Sequence, residues 1–190
     1  MKESSLKVNE LFYSIQGEGA NAGMPAVFVR LAGCNLKCPF CDTQHEAFTE
    51  MSLKAVKAEV EKYHCRNIIW TGGEPTLQLT DEIVSHFDDY YHCIETNGTG
   101  KVPSRIDYIA CSAKAPMDVL NENFEKIDEI RIPVKKGDSL PDIQLLPRAE
   151  RYYISPIDVH KENIDYCLQL IAENPQWRLS VQLHKLLGIK

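Results

Sequence analysis

Runs of apolar, β-branched and aromatic residues recur along the chain, and most are followed at once by a cluster of glycine and polar residues. The runs are Ala26 to Leu31, Asn67 to Trp70, His92 to Ile94, Asp107 to Ala110, Glu129 to Val134, Arg151 to Ile154 and Trp177 to Leu183. Several are nearly continuous in apolar character, as expected of strands buried on both faces. Three stripes of helical spacing lie among them. One starts after Ser52, a suitable N-cap, with Leu53, Val56, Val60 and Tyr63; a second follows Thr80 with Ile83, Val84, Phe87 and Tyr91; a third holds Ile164, Cys167, Leu168 and Ile171 and stops at Pro175. Alternation of strand and helix predicts a mostly parallel sheet with helices on its outer side. With 190 residues and three helices, the chain falls short of the roughly 250 residues of a closed eight-fold barrel. The expected fold class is therefore α/β, a partial (open) β/α barrel, as a single domain over residues 1–190. The stretch from Lys135 to Arg148 fits no element, so it is expected to be a functional lid or to hide one.

The polar clusters constrain function. Gly33-Cys34 follows the first run, Thr71-Gly72-Gly73-Glu74 the second, Glu95-Thr96-Asn97-Gly98 the third and Ser112-Ala113-Lys114 the fourth; Ser155-Pro156-Ile157-Asp158 and His184-Lys185 come later. In a parallel α/β sheet such clusters share the edge at the carboxyl ends of the strands, where ligands bind. One composite site is expected.

Charge and composition exclude several alternatives. A formal net charge of −6 is a poor surface for a phosphate backbone, so no nucleic-acid partner is expected. No apolar run reaches 18 residues and the opening MKESSLKVNE lacks a signal-peptide core, so a cytoplasmic protein with no membrane partner is expected. In a reducing compartment, seven cysteines point to metal or redox chemistry rather than disulfides.

Three of the seven form Cys34-x3-Cys38-x2-Cys41, placed in a loop after a strand. A loop can wrap three thiolates around one metal centre. Electron-transfer 4Fe-4S clusters and structural zinc sites use four ligands, and no fourth stands nearby. Cys65, Cys93, Cys111 and Cys167 are scattered and read as core packing. An iron with an open position is the sharper reading; a zinc knuckle completed by His45 is the alternative. The segment Thr71-Gly72-Gly73-Glu74-Pro75 after the second run has glycines that let a ligand approach the backbone. Upstream, Gln16 and Glu18 can together read a ring carrying donors and acceptors, and Arg30 can clamp a carboxylate through two hydrogen bonds.

The cysteine spacing, joined to Gly-Gly-Glu-Pro, resembles the radical S-adenosylmethionine enzymes. More narrowly, SIQGEG (14–19), GCNLKCPFCDT (33–43), TGGEP (71–75), ETNGT (95–99), the Ser112-Ala113-Lys114 stretch and the terminal HKLLGI (184–189) resemble the 7-carboxy-7-deazaguanine synthases of the queuosine precursor pathway. That resemblance implies a radical lyase that contracts the ring of 6-carboxy-5,6,7,8-tetrahydropterin to 7-carboxy-7-deazaguanine with release of ammonia. A 5′-deoxyadenosyl radical is then expected to take hydrogen from C6 of the pterin, with the cofactor regenerated at the end.

The same resemblance implies residue roles. Cys34, Cys38 and Cys41 would hold a 4Fe-4S cluster, and Thr43 a Mg²⁺ ion. Phe40, Cys41, Asp42, Gly73, Ser112, Ala113, Lys114, Ser155, Pro156, Ile157 and Asp158 would surround S-adenosyl-L-methionine. Ile15, Gln16, Gly17, Arg30, Thr71 and His184 would contact the pterin, the first four within an N-terminal substrate-binding segment of about residues 8–30. Glu18, Glu74, Glu95 and Asn97 are additions by position. No catalytic side chain is implied beyond the cofactor ligands. A homodimer and a flavodoxin-type reductant are implied partners. Two other readings stay open on the residues alone: an activase of a glycyl-radical enzyme, and a non-catalytic iron-sulfur or zinc binding module.

Overall fold

The computed structural model describes residues 4–190. Among them are nine strands and five α-helices, divided between two compact units. The first unit comprises the described residues up to Ser14 together with Pro25–Thr96 and Gly100–Ile109; the second comprises Ile15–Met24, Asn97–Thr99 and Ala110–Lys190.

In the first unit, β1 (Ser5–Ile15), β2 (Pro25–Leu31), β3 (Thr49–Ser52), β4 (Asn67–Gly72) and β5 (Tyr91–Thr96) lie in the order β3-β1-β2-β4-β5. β2, β4 and β5 are parallel neighbours, and β3 is antiparallel to β1. Side chains alternate between the faces of each strand. Val27, Val29, Leu31, Ile68, Trp70 and Ile94 therefore share one face, buried with Leu53, Val56 and Val60 of α1 (Leu53–Val60) and Ile83 and Val84 of α2 (Asp81–Ser85). Ser52 caps α1 by accepting from Ala55 N–H at 3.2 Å, and Thr80 caps α2 by accepting from Ile83 N–H at 3.3 Å. The opposite face carries Phe28, Arg30, Thr71 and Glu95.

In the second unit, β6 (Tyr108–Ser112), β7 (Lys126–Val134), β8 (Arg148–Pro156) and β9 (Arg178–Leu179) are successive parallel neighbours. The connections are α3 (Met117–Asn123) between β6 and β7, and α4 (Lys161–Glu173) between β8 and β9; α5 (Leu183–Leu187) follows. Strand, helix and parallel strand alternate at β6-α3-β7 and at β8-α4-β9, while β7 and β8 are joined without an α-helix.

The differences from the expected elements are local. β1 is a full strand whose alternating Leu6 and Val8 are buried; the polar, glycine-rich continuation hid that period of two. α3 buries only Leu120, too narrow a stripe to read. The expected strand from Trp177 to Leu183 shrinks to Arg178–Leu179 because Leu183 opens α5. Tyr91 is exposed and begins β5 rather than completing α2, and Leu168 of the third stripe faces solvent. The unassigned stretch 135–148 contains one 3-10 turn, Ile143–Leu145, capped by Asp142.

Candidate active site

The cysteine loop leaves the carboxyl end of β2 with no regular structure. Leu36 N–H donates to Cys34 Sγ at 3.4 Å, Cys41 N–H to the Cys38 carbonyl at 3.0 Å, and the Cys41 thiol to the Thr43 carbonyl at 3.6 Å. The loop is tied at its base: Gly33 N–H donates to the His45 carbonyl at 2.8 Å, and the Asn9 amide on β1 donates to the carbonyls of Gln44 (3.0 Å) and Ala47 (2.6 Å). All three cysteines are free thiols, Cys41 exposed and the others half-buried. Among the described residues no three His, Cys, Asp or Glu side chains stand grouped as a preformed metal site. The donor set fits an iron-sulfur cluster with one open iron: three soft sulfurs in eight residues, a backbone N–H already on one of them, and no fourth cysteine in the loop. The other four cysteines pack or half-pack as expected; burial pushes the Cys167 thiol up to about 11.

The two glycines after β4 serve a purpose beyond the one expected. A Cβ on Gly72, whose φ is +137°, would strike the Leu31 backbone, and one on Gly73 would strike the Gly33 carbonyl and lie 2.9 Å from Cys34 Cβ. Gly73 N–H donates to Leu31 O at 3.1 Å, and Glu74 N–H to Gly33 O at 2.8 Å. Their smallness therefore lets the end of β4 lie directly against the root of the cysteine loop. Glu74 is fully buried and accepts from Thr76 N–H (3.1 Å), Thr76 Oγ1 (2.7 Å) and Thr96 Oγ1 (2.8 Å), capping the 3-10 turn Pro75–Leu77.

On the helix-free face of the first unit, Arg30 and Thr71 are register partners on β2 and β4. The Thr71 hydroxyl donates to Glu95 Oε2 at 2.9 Å. The Arg30 guanidinium donates to Thr43 Oγ1 at 3.4 Å, lies 3.9 Å from the Glu10 carboxylate and stands 5.8 Å from the centre of the Phe12 ring. Thr43 Oγ1 in turn donates to Asp42 Oδ1 at 3.4 Å. Arg30, Thr43, Asp42, Thr71 and Glu95 are thereby tied into two small networks, and Phe40, half-buried, sits within the cysteine loop.

The second unit places its expected site residues at strand ends. Ser112 closes β6, and Ser155 and Pro156 close the parallel β8. Ala113 N–H donates to Arg131 O at 3.0 Å, Lys114 N–H to Asn97 O at 3.2 Å, and Ile157 N–H to Val134 O at 2.8 Å. Asn97 Oδ1 accepts from Thr99 N–H and Oγ1, closing a tight turn. Asp158 adopts φ +56°, unusual for a residue with a side chain. Ser155 Oγ is buried without a hydrogen-bond partner, a cost of about 1–3 kcal/mol that a bound polar molecule removes.

Also in this unit, residues 167 positions apart meet. Leu183 N–H donates to Gly17 O at 3.0 Å, and a Cβ on Gly17 would run into the His184 ring. His184 thus lies on α5, not beside a strand, and adjoins the Ile15-Gln16-Gly17 segment. Gln16 is buried, its side-chain carbonyl accepting from Glu18 N–H at 3.0 Å. What the sequence reading missed is the pair Glu129 and Arg131 on β7, both buried. Two charges two residues apart within an apolar strand are the signal that could have found them.

Residues 28–170 match the model of the radical SAM superfamily. The 7-carboxy-7-deazaguanine synthase of Bacteroides thetaiotaomicron is 44% identical over 97% of this chain and 98% of its own length. Those of Neisseria meningitidis (42%, 97% and 94%) and Haemophilus influenzae (38%, 99% and 96%) are similar over nearly their whole lengths. The crystal structure of QueE from Escherichia coli superposes with a TM-score of 0.71 at 26% identity, covering 95% of each chain. The partial β/α barrel, the 4Fe-4S cluster and S-adenosylmethionine follow from that likeness. With its open three-cysteine loop braced by Gly73, the chain belongs to the radical SAM superfamily and, within it, to the 7-carboxy-7-deazaguanine synthase family.

Proposed function

We infer that the chain converts 6-carboxy-5,6,7,8-tetrahydropterin to 7-carboxy-7-deazaguanine and ammonia. The observation that carries this reading is the three-thiol loop locked to the Gly73-Glu74 backbone, in a chain whose relatives over nearly full length are named 7-carboxy-7-deazaguanine synthase. When bound, cluster and S-adenosylmethionine supply a 5′-deoxyadenosyl radical. The chain's own residues bind, orient and shield. Cys34, Cys38 and Cys41 hold the cluster. Phe40, Asp42 and Gly73 of the first unit and Ser112, Ala113, Lys114 and the run Ser155 to Asp158 of the second are assigned to S-adenosylmethionine, and the unpartnered Ser155 hydroxyl is one group ready for it. Ile15, Gln16, Gly17 and His184 of the second unit are assigned to the pterin ring, as are Thr71 and Arg30 of the first. The Arg30 guanidinium offers two parallel donors for the substrate carboxylate.

Thr43 is the residue to hold Mg²⁺, a hard cation suited to hydroxyl and carboxylate oxygens. Its neighbour Arg30 is itself a cation, with the Glu10 carboxylate 3.9 Å away, and the Asp42 carboxylate stands beside Thr43. The reading extends to a single functional domain, a cytoplasmic homodimer and a flavodoxin-type reductant. No described helix is long and apolar enough to cross a membrane.

The test is anaerobic reconstitution with iron and sulfide, then incubation with dithionite, S-adenosylmethionine, Mg²⁺ and the carboxytetrahydropterin, followed by mass spectrometry. The expected product is the deazaguanine acid. Deoxyadenosine without that product would refute the substrate; absence of both from cluster-loaded protein would refute the radical reaction.

A further inference from the structure

β7 carries a fully buried carboxylate, Glu129, and a guanidinium only 6% exposed, Arg131, on one face of the strand. Arg131 Nε donates to Glu129 Oε1 at 2.6 Å, and a second contact links Nη2 to the same oxygen. Replacing such a pair by apolar residues is often neutral or favourable to stability, so burial alone does not explain it. Further bonds of the pair go to one short piece of chain. Arg131 Nη1 donates to Glu18 Oε2 at 3.0 Å and Nη2 to Glu18 O at 3.4 Å, while Ala20 N–H donates to Glu129 Oε2 at 2.8 Å. Gly19 fits between them with φ +68°, where a Cβ would collide with the Glu129 carboxylate, and its N–H donates to the buried Ser180 Oγ at 2.9 Å. Each of residues 18, 19 and 20 is thus fixed from the strand side, directly after Gln16 and Gly17.

We propose that Glu129 and Arg131 are positioning residues for the pterin: the buried pair clamps the Glu18-Gly19-Ala20 turn and so sets where Gln16 and Gly17 present their groups to the ring. This rests on the assignment of Ile15, Gln16 and Gly17 as pterin contacts.

The experiment compares wild type, R131K and the double variant E129L/R131M, each cluster-loaded. Substrate KM and kcat, the Kd for S-adenosylmethionine and the thermal midpoint are measured. R131K keeps the charge but loses the planar fork; the double variant removes the two buried charges together and leaves Glu18, which is partly exposed, to solvent. The clamp predicts a substrate KM raised about tenfold or more in both, with the Kd for S-adenosylmethionine within about threefold of wild type. It also predicts that E129L/R131M keeps the raised KM even with a wild-type thermal midpoint, which a purely structural role would not produce. A KM within about twofold of wild type in the double variant overturns the proposal. Failure of wild type to turn over the pterin would instead refute the functional reading beneath it.

Discussion

Gly73→Ala isolates the junction between β4 and the cysteine loop. The added methyl meets a backbone carbonyl, that of Gly33, and the Cβ of Cys34 at 2.9 Å, neither of which can rotate away. Overpacking of this kind costs about 1–3 kcal/mol. If the strand end retreats instead, the bonds Gly73 N–H to Leu31 O and Glu74 N–H to Gly33 O weaken, at about 1 kcal/mol each. Either route places the cost at about 1–3 kcal/mol, a substantial part of the 5–15 kcal/mol typical of a domain but not all of it. The protein should therefore fold, with its urea midpoint lowered. Because the relief must come from Gly33 and Cys34, the thiol loop shifts by roughly 1 Å, enough to cost about a hundredfold in turnover. Gly137→Ala is the control: φ is +93° but nothing lies within 4 Å, so only backbone strain of about 1–2 kcal/mol is expected, with turnover unchanged. A Gly73→Ala protein within 0.5 kcal/mol of wild type would refute the argument that backbone contact requires this glycine.

Cys38→Ser should abolish iron-sulfur absorbance after reconstitution while leaving the urea midpoint within about 0.5 kcal/mol, since the half-buried side chain keeps its size. Glu74→Ala should destabilise by about 2–4 kcal/mol through a cavity and three orphaned donors, and Glu74→Gln by clearly less, since its amide oxygen still accepts. His92 has its ring fixed as Nε2–H, which donates to Phe87 O while Nδ1 accepts from Trp70 Nε1 at 3.1 Å, and burial holds its pKa below the usual value. The folded state then binds fewer protons than the unfolded state. Stability is complete above pH of about 6.5 and falls as the solution is acidified below it; His92→Gln should flatten that part of the pH–stability curve measured by denaturant titration.

How much of this was legible in sequence follows from where the constraints reside. Parallel strands buried on both faces spell themselves as apolar runs, so β2, β4, β5 and β7 were readable with their trailing clusters. The cysteine loop was readable because three soft ligands in eight residues have few other uses. The reason for Gly72 and Gly73 was not, because it depends on a second backbone, that of Leu31 to Gly33, arriving from another strand. Likewise Gly17 and His184 share no local pattern, and only the fold reveals that α5 returns to the N-terminal segment. Glu129 and Arg131 show in the sequence only as two charges in an apolar strand; their partners at Glu18 and Ala20 come from the fold.

The bonds from Gly19 to Ser180 and from Gly17 to Leu183 carry a consequence for synthesis. Gly19 leaves the ribosome 161 residues ahead of the serine that receives its N–H. At about 5–20 residues per second, that delay is on the order of ten to thirty seconds. During it the first unit, whose contacts close by Ile109, can already be folding. The segment proposed to read the substrate is thus made early and secured late, exposed meanwhile to proteases and chaperones. Synonymous codon changes that slow translation beyond Ile109 should lengthen that exposure without altering a single residue of the finished protein.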